Sequence, residues 1–268
     1  MSTMQPIADK HDLKKAAKHI KANYDPAYSL IWHIGIESGL RVTDLTELEY
    51  CNIDFEAGTV TVAENKGSRA NKARARLRVL EQVKLELIGR YSDDSKRMMG
   101  IFVSKAKDIY DVIPEELKPL VDARIKDAME KAKPKMRTTR LSQATLTKIK
   151  ARQKKYSTID DGFLFSRATM RSSNRAKNIT GVITRQSCYR VFSSLTAFMA
   201  TLGKKVKVAC HSLRKIFARH LYTSSGNDIG LLMSTIGHST AAMSLRYIGI
   251  GDSEKDTAVE NMFAYFDN

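Results

Sequence analysis

His211-Ser212-Leu213-Arg214 and, downstream, Ile236-Gly237-His238-Ser239 with Leu245-Arg246-Tyr247-Ile248 form the stretch on which the reading of this chain turns. His211 and Arg214 stand three residues apart, so on a helical turn both point to one side. No proline follows Pro134, which suits a helical second half. Asp228 to Tyr247 reads as two short helices around a turn at Gly237. That pattern also describes a helix-turn-helix, so a DNA-binding protein without chemistry is one function class to weigh.

Upstream, Thr184 caps a regular helix with Cys188, Val191, Phe192, Leu195, Phe198, Met199 and Leu202 on one face and Gly203 as its stop. Cys188 is therefore core. Asp25-Pro26 starts another buried helix that runs to Gly39. Just past that glycine stop, Arg41 sits on a rigid turn, and Thr43 is expected to cap a short helix from Asp44 to Tyr50. Thr59-Val60-Thr61-Val62 reads as a strand. Arg74-Ala75-Arg76-Leu77-Arg78-Val79 alternates at period 2, which predicts the returning strand of a hairpin with Lys66 at its tip. The fold class expected is α+β, mainly α, with one small antiparallel sheet.

Collected, Arg41, Lys66, His211, Arg214, His238 and Tyr247 suit phosphoryl transfer. The planar fork of arginine matches two phosphate oxygens and stays charged, so Arg41 and Arg214 can clamp a phosphate whose charge grows in the transition state. Tyr247 is an oxygen nucleophile that needs a base or cations to ionise. A histidine can shuttle its proton, and a lysine can protonate the departing alkoxide. Neither metal nor cofactor is expected, because no carboxylate pair or His/Asp cluster accompanies the set. Tyr222 and Tyr265 lack the spacing from Gly237-His238-Ser239, and Lys72 is the rival to Lys66 on the same segment. His11, His19, His33 and His220 have no such context and read as ordinary surface or core histidines.

In these residues the chain resembles the catalytic domain of the tyrosine recombinase (phage integrase) family. Ser38-Gly39-Leu40-Arg41 with Asp44 is similar to its first box, His211-Ser212-Leu213-Arg214 to its second, Gly237-His238-Ser239 to its third, and Tyr247 to its nucleophile position. The resemblance covers roughly residues 26 to 90 and 163 to 250. It implies site-specific recombination of DNA (integration, excision, inversion or resolution): Tyr247 attacks a backbone phosphate, leaving a 3′-phosphotyrosyl link and a free 5′-hydroxyl. A type IB topoisomerase-like enzyme uses a similar residue set and is the alternative enzyme class.

Charge supports a polyanionic partner. Lys and Arg number 45 against 29 Asp and Glu, a net +16. The excess is central, with a net −4 over residues 1–65, +14 over 66–155 and +6 over 156–268. Residues 66–78 carry six basic side chains and 131–155 carry ten, both without an acid. Neither run has the apolar face of a membrane-surface helix, so the expected partner is double-stranded DNA rather than a membrane. Arg69, Lys72, Arg74, Arg76 and Arg78, with Lys131, Lys133, Lys135, Arg137 and Arg140, are read as contacts to the phosphate backbone.

Domain boundaries follow: an N-terminal extension over 1–25, a catalytic domain over 26–252 with a basic insertion over 91–161, and a C-terminal amphipathic helix over 253–268. The extension is too short for the separate helical clamp common in the family, and the insertion is expected to supply part of that grip. Val259, Met262, Phe263 and Phe266 give the tail its apolar face. That face either packs on its own domain or, by the resemblance, docks into a neighbouring protomer, giving a dimer to tetramer on DNA. Three cysteines without ligand spacing and no leader at the start suggest a reducing cytoplasm; the resemblance implies a bacterial cell, a place near its nucleoid and a gene carried by a phage or plasmid.

Overall fold

Asp25 starts the central helix: its carboxylate accepts from the Ala27 N–H at 2.9 Å, and Pro26 occupies the first helical position, where a missing N–H costs nothing. This helix, α2 (Pro26–Ser38), buries Leu30, Ile31, Trp32 and Ile34 and ends on Gly39 in the left-handed conformation. The computed structural model describes residues 7–89, 109–159, 161–170, 181–250 and 262–263. They fall into two compact units, Met1–Val62 with Thr138–Asn268, and Ala63–Arg137.

In the first unit, α1 (Lys10–Asn23) packs on α2 and inserts Ala16 and Ile20 into the main core. Ile7, Ala16 and Ile20, expected in an extension, are thus part of this core. The turn after Gly39 leads into α3 (Val42–Thr46), with Arg41 and not Thr43 at its cap. Then come β1 (Ile53–Asp54) and β2 (Thr59–Ala63), antiparallel with Ile53 opposite Val60. The third strand, β3 (Met136–Arg140), lies beside β2 in the order β1-β2-β3, and the Thr61 and Thr138 hydroxyls bond at 2.8 Å across it. Glu37, in the last turn of α2, accepts from the Ser142 N–H (2.9 Å), the Ser142 hydroxyl (3.0 Å) and the Thr145 hydroxyl (2.7 Å).

Those three bonds fix the start of α6 (Gln143–Lys155), whose Leu146 and Ile149 join the main core. Residues 138–155, expected inside the basic insertion, therefore belong to the first unit. The unit closes with α7 (Arg185–Thr201), capped by Thr184 and buried along Cys188, Val191, Phe192, Leu195 and Met199, then α8 (Ser212–Ser224), α9 (Ile229–Ile236) and α10 (Ala241–Ile248). The last three share a small apolar core of Ala218, Leu232, Ile236 and Ile248.

The second unit corrects the hairpin. Residues 74–79 are not a strand but part of α4 (Asn65–Gly89), which lies against α5 (Lys118–Glu130). Six alternating residues are too short a window. Ala and Arg are strong helix formers, and the buried Val79, Leu80, Val83 and Leu87 continue at spacings of one to four, a helical face. Ile113, Val121 and Ile125 complete this core, and Arg124 forks onto both oxygens of Glu86 at 2.8 and 2.9 Å. The strand that returns to β2 is β3, reached only after these helices. The Glu64 N–H donates to the Lys135 carbonyl at 2.8 Å where the chain leaves and re-enters the sheet. Residues 90–108 lie outside the described residues, and so does the tail over 253–268 except Met262 and Phe263, which are helical and exposed.

Candidate active site

Arg214 assembles the site. It sits in the first turn of α8 and is buried, with 4% of its surface exposed. A buried guanidinium has to satisfy its donors, and two of them go to backbone carbonyls: Nη1 to Gly39 at 2.7 Å and Nη2 to Ile236 at 2.9 Å. Both acceptors lie at helix C-termini, where unpaired carbonyls and the helix dipole favour a cation. The turns so joined carry the other boxes: Gly39 (φ 61°) leads to Arg41, and Ile236 precedes Gly237 (φ 70°) and His238. A Cβ on Gly39 would lie 2.2 Å from Phe217 Cδ1, so only glycine lets α2 end this close to α8. Arg41 stands one-quarter exposed at the head of α3, with Nη1 4.0 Å from the buried Asp44 carboxylate.

Tyr247 lies on α10, partly buried, with its hydroxyl 3.5 Å from His211 Nε2. The His211 and His238 rings both meet it edge-on, at centroid distances of 5.7 and 4.9 Å. Lys215 Nζ stands 5.5 Å from the ring centroid. Burial pushes the Lys215 ammonium below its ordinary range. Burial, and then the charge of Arg214, do the same to His238, which favours the neutral imidazole. His238 Nδ1 lies 3.2 Å from the Ser244 hydroxyl, whose own hydrogen goes to the Thr240 carbonyl at 3.3 Å. Five of the six expected residues, Arg41, His211, Arg214, His238 and Tyr247, thus gather on α8, α10 and the two glycine turns.

The sequence profile of the phage integrase family matches residues 8–159, more than half of the chain. The chain belongs to the phage integrase family. Comparison with curated proteins gives no match. Among solved structures, the fold is similar to XerA recombinase (TM-score 0.53, 14% identity, covering 100% of this chain and 66% of that one). It is also similar to XerH site-specific recombinase bound to palindromic difH substrate in a post-cleavage complex (0.52, 14%, 96% and 53%). A third is the Tn1549 transposon integrase with circular intermediate DNA (0.51, 15%, 98% and 67%). The chain thus spans less than two thirds of the XerA and XerH chains. Among the described residues, no helix is long and apolar enough to cross a membrane.

Lys66 falls in the second unit, in the first turn of α4 and not on a hairpin tip. The other basic residues divide by surroundings. Arg76 stands 5.8 Å from the Tyr110 ring centroid. Arg137 and Lys135 approach the buried Glu64 at 3.4 and 3.7 Å. Lys131 bonds Asp127 at 2.8 Å. Arg69, Lys72, Arg74, Arg78, Lys133 and Arg140 are exposed. The sequence reading passed over Lys215 and Ser244. Lys215 follows Arg214 directly, and Ser244 lies three residues before Tyr247 on the same helix, so the local signal was proximity to boxes already marked.

Proposed function

We propose that this chain is a site-specific DNA recombinase that breaks and rejoins DNA through a 3′-phosphotyrosyl intermediate on Tyr247. The observation that carries the reading is the Tyr247 hydroxyl 3.5 Å from His211 Nε2, beside the turns that Arg214 joins. In the proposed step the phenolic oxygen attacks the scissile phosphorus and its proton passes to His211. Arg41 and Arg214 hold the non-bridging oxygens as negative charge builds. The bond to the 5′-oxygen breaks, and Lys66 supplies the proton that makes it a hydroxyl. His238, neutral and fixed by Ser244, packs against the tyrosine ring and orients it. A 5′-hydroxyl from a second DNA strand then attacks the phosphotyrosine, and the steps run in reverse. The bond energy stays in the covalent link.

The proposal extends to self-assembly on DNA, from dimer to tetramer, through the C-terminal tail, and to action on nucleoid DNA from a gene carried by a phage or plasmid. The test is a nicked suicide duplex, in which the freed strand diffuses away and traps the adduct. The full chain should yield a protein–DNA adduct with the 3′-phosphate attached, and Tyr247→Phe should bind the duplex and yield none. No adduct from the unaltered chain on any duplex drawn from its genomic neighbourhood would leave a binding protein only. Relaxation of a plasmid without exchange between two sites would indicate the topoisomerase-like class.

A further inference from the structure

The second unit holds a concavity of its own. About 590 Å³ in volume, it lies between one face of α4 and the end of α5 with the residues that follow it. Asn71, Arg74, Ala75, Arg78, Val79 and Gln82 recur on α4 at three and four residues and so share one side of the helix. Ala128, Lys131, Ala132 and Lys133 face them. The lining combines the short side chains of Ala75, Val79, Ala128 and Ala132 with four cations, Arg74, Arg78, Lys131 and Lys133. Of these cations, Lys131 is bonded to the Asp127 carboxylate at 2.8 Å.

This is more than a charged surface, because one wall is braced against the other. The Asn71 side-chain oxygen accepts from Arg74 Nη1 at 3.1 Å, and its amide nitrogen donates to the Lys133 carbonyl at 3.0 Å. Arg74 and Arg78 stand one turn apart, ~6 Å along the axis. That separation reaches phosphates one or two nucleotides apart on a strand whose charges rise by 3.4 Å each.

We infer that this groove is a phosphate-backbone grip for duplex DNA, in which Arg74, Arg78, Lys131 and Lys133 contact the strand and Asn71 positions Arg74. The identification of the partner rests on the recombinase reading; the groove itself rests on the second unit alone. Arg76, Lys135 and Arg137, turned to Tyr110 and Glu64, take no part. The contact carries no base recognition and is governed by counterion release, so it strengthens binding to all sequences alike.

The test measures affinity of the full chain for duplexes of unrelated sequence across a salt series. The pairs Arg74→Ala with Arg78→Ala, and Lys131→Ala with Lys133→Ala, should each reduce the slope of log affinity against log salt by about 2 and weaken all sequences equally. Asn71→Ala removes no charge and should still weaken binding about fivefold. Arg76→Ala serves as the control and should leave the slope unchanged. Unchanged slopes in both pairs, or an equal fall in the control, would overturn the groove. The pairs sit on different walls, so a folding defect in one leaves the other readable. Failure of the unaltered chain to form an adduct would instead count against the recombinase chemistry, since the binding measurement requires none.

Discussion

The two units use cations in opposite ways. Around α8, α9 and α10, Arg214 is withdrawn from solvent and gives two donors to helix-end carbonyls, so its position is set by the backbone. In the second unit, Arg74, Arg78, Lys131 and Lys133 stay in water around a concavity, and one asparagine braces the arrangement. Chemistry on one phosphorus atom requires groups placed within fractions of an ångström, which burial enforces. A grip on a polyanion requires charge and reach, which exposure preserves.

The largest expected effect breaks that contrast at its centre. Arg214→Met leaves the Gly39 and Ile236 carbonyls without their donor and lets the two turns separate. Adduct formation should fall by about three orders of magnitude, and stability by roughly 3 kcal/mol, measured by denaturant unfolding. Arg78→Met in the second unit should leave the unfolding midpoint within about 0.5 kcal/mol. Equal midpoints for the two variants would mean that the buried arginine organises nothing.

A second experiment asks whether each core stands by itself. Leu80 is fully buried on α4, and Leu80→Ala should cost about 3 kcal/mol. Hydrogen exchange should then quicken in α4 and α5, with α2 and α8 protected as before; loss of protection in α2 would show that the units unfold as one. Two glycines offer a smaller, sharper contrast inside the first unit. Gly39 and Gly203 both have positive φ, 61° and 74°, but only Gly39 has a neighbour where a Cβ would go. Gly203→Ala should cost about 1 kcal/mol for its backbone conformation, and Gly39→Ala at least about twice that, because the Phe217 ring must also move.

What the sequence made legible follows the same division. The boxes around Arg41, His211, His238 and Tyr247 could be marked because glycine stops and fixed short spacings are local signals, and they survive without knowledge of tertiary structure. The helices from Asp25 and Thr184 were readable from their caps for the same reason. The second unit was misread where six residues of Arg and Ala alternation outweighed the longer run from Val79 to Leu87. Its boundaries were also missed, because β3 pairs with a strand about seventy residues earlier and nothing local announces a partner so distant. The two carbonyl bonds of Arg214 were invisible as well: backbone acceptors leave no mark in side-chain spelling.

The smallest expected effect separates the units by acidity. All six histidines lie in the first unit, and the second has none. Burial holds His33, His220 and His238 below the ordinary value of 6.5, helped by Lys148 at His33, Lys10 and Arg219 at His220 and Arg214 at His238, while Glu37 opposes at His33 and a hydrogen bond to the Ile7 backbone opposes at His220. A depressed folded value means that the unfolded chain takes up the proton first, so their contribution is present above about pH 6.5 and is lost as pH falls through the folded values. Trp32, the single tryptophan and fully buried in the main core, reports that unit by fluorescence. Its denaturant midpoint should drop between pH 7.5 and 5.5, while exchange protection in α4 and α5 holds. Replacing His33, His220 and His238 together with glutamine should flatten the drop. A midpoint that falls as steeply without the three rings would assign the acid sensitivity to carboxylates, which both units contain, and pH would then no longer tell the two apart.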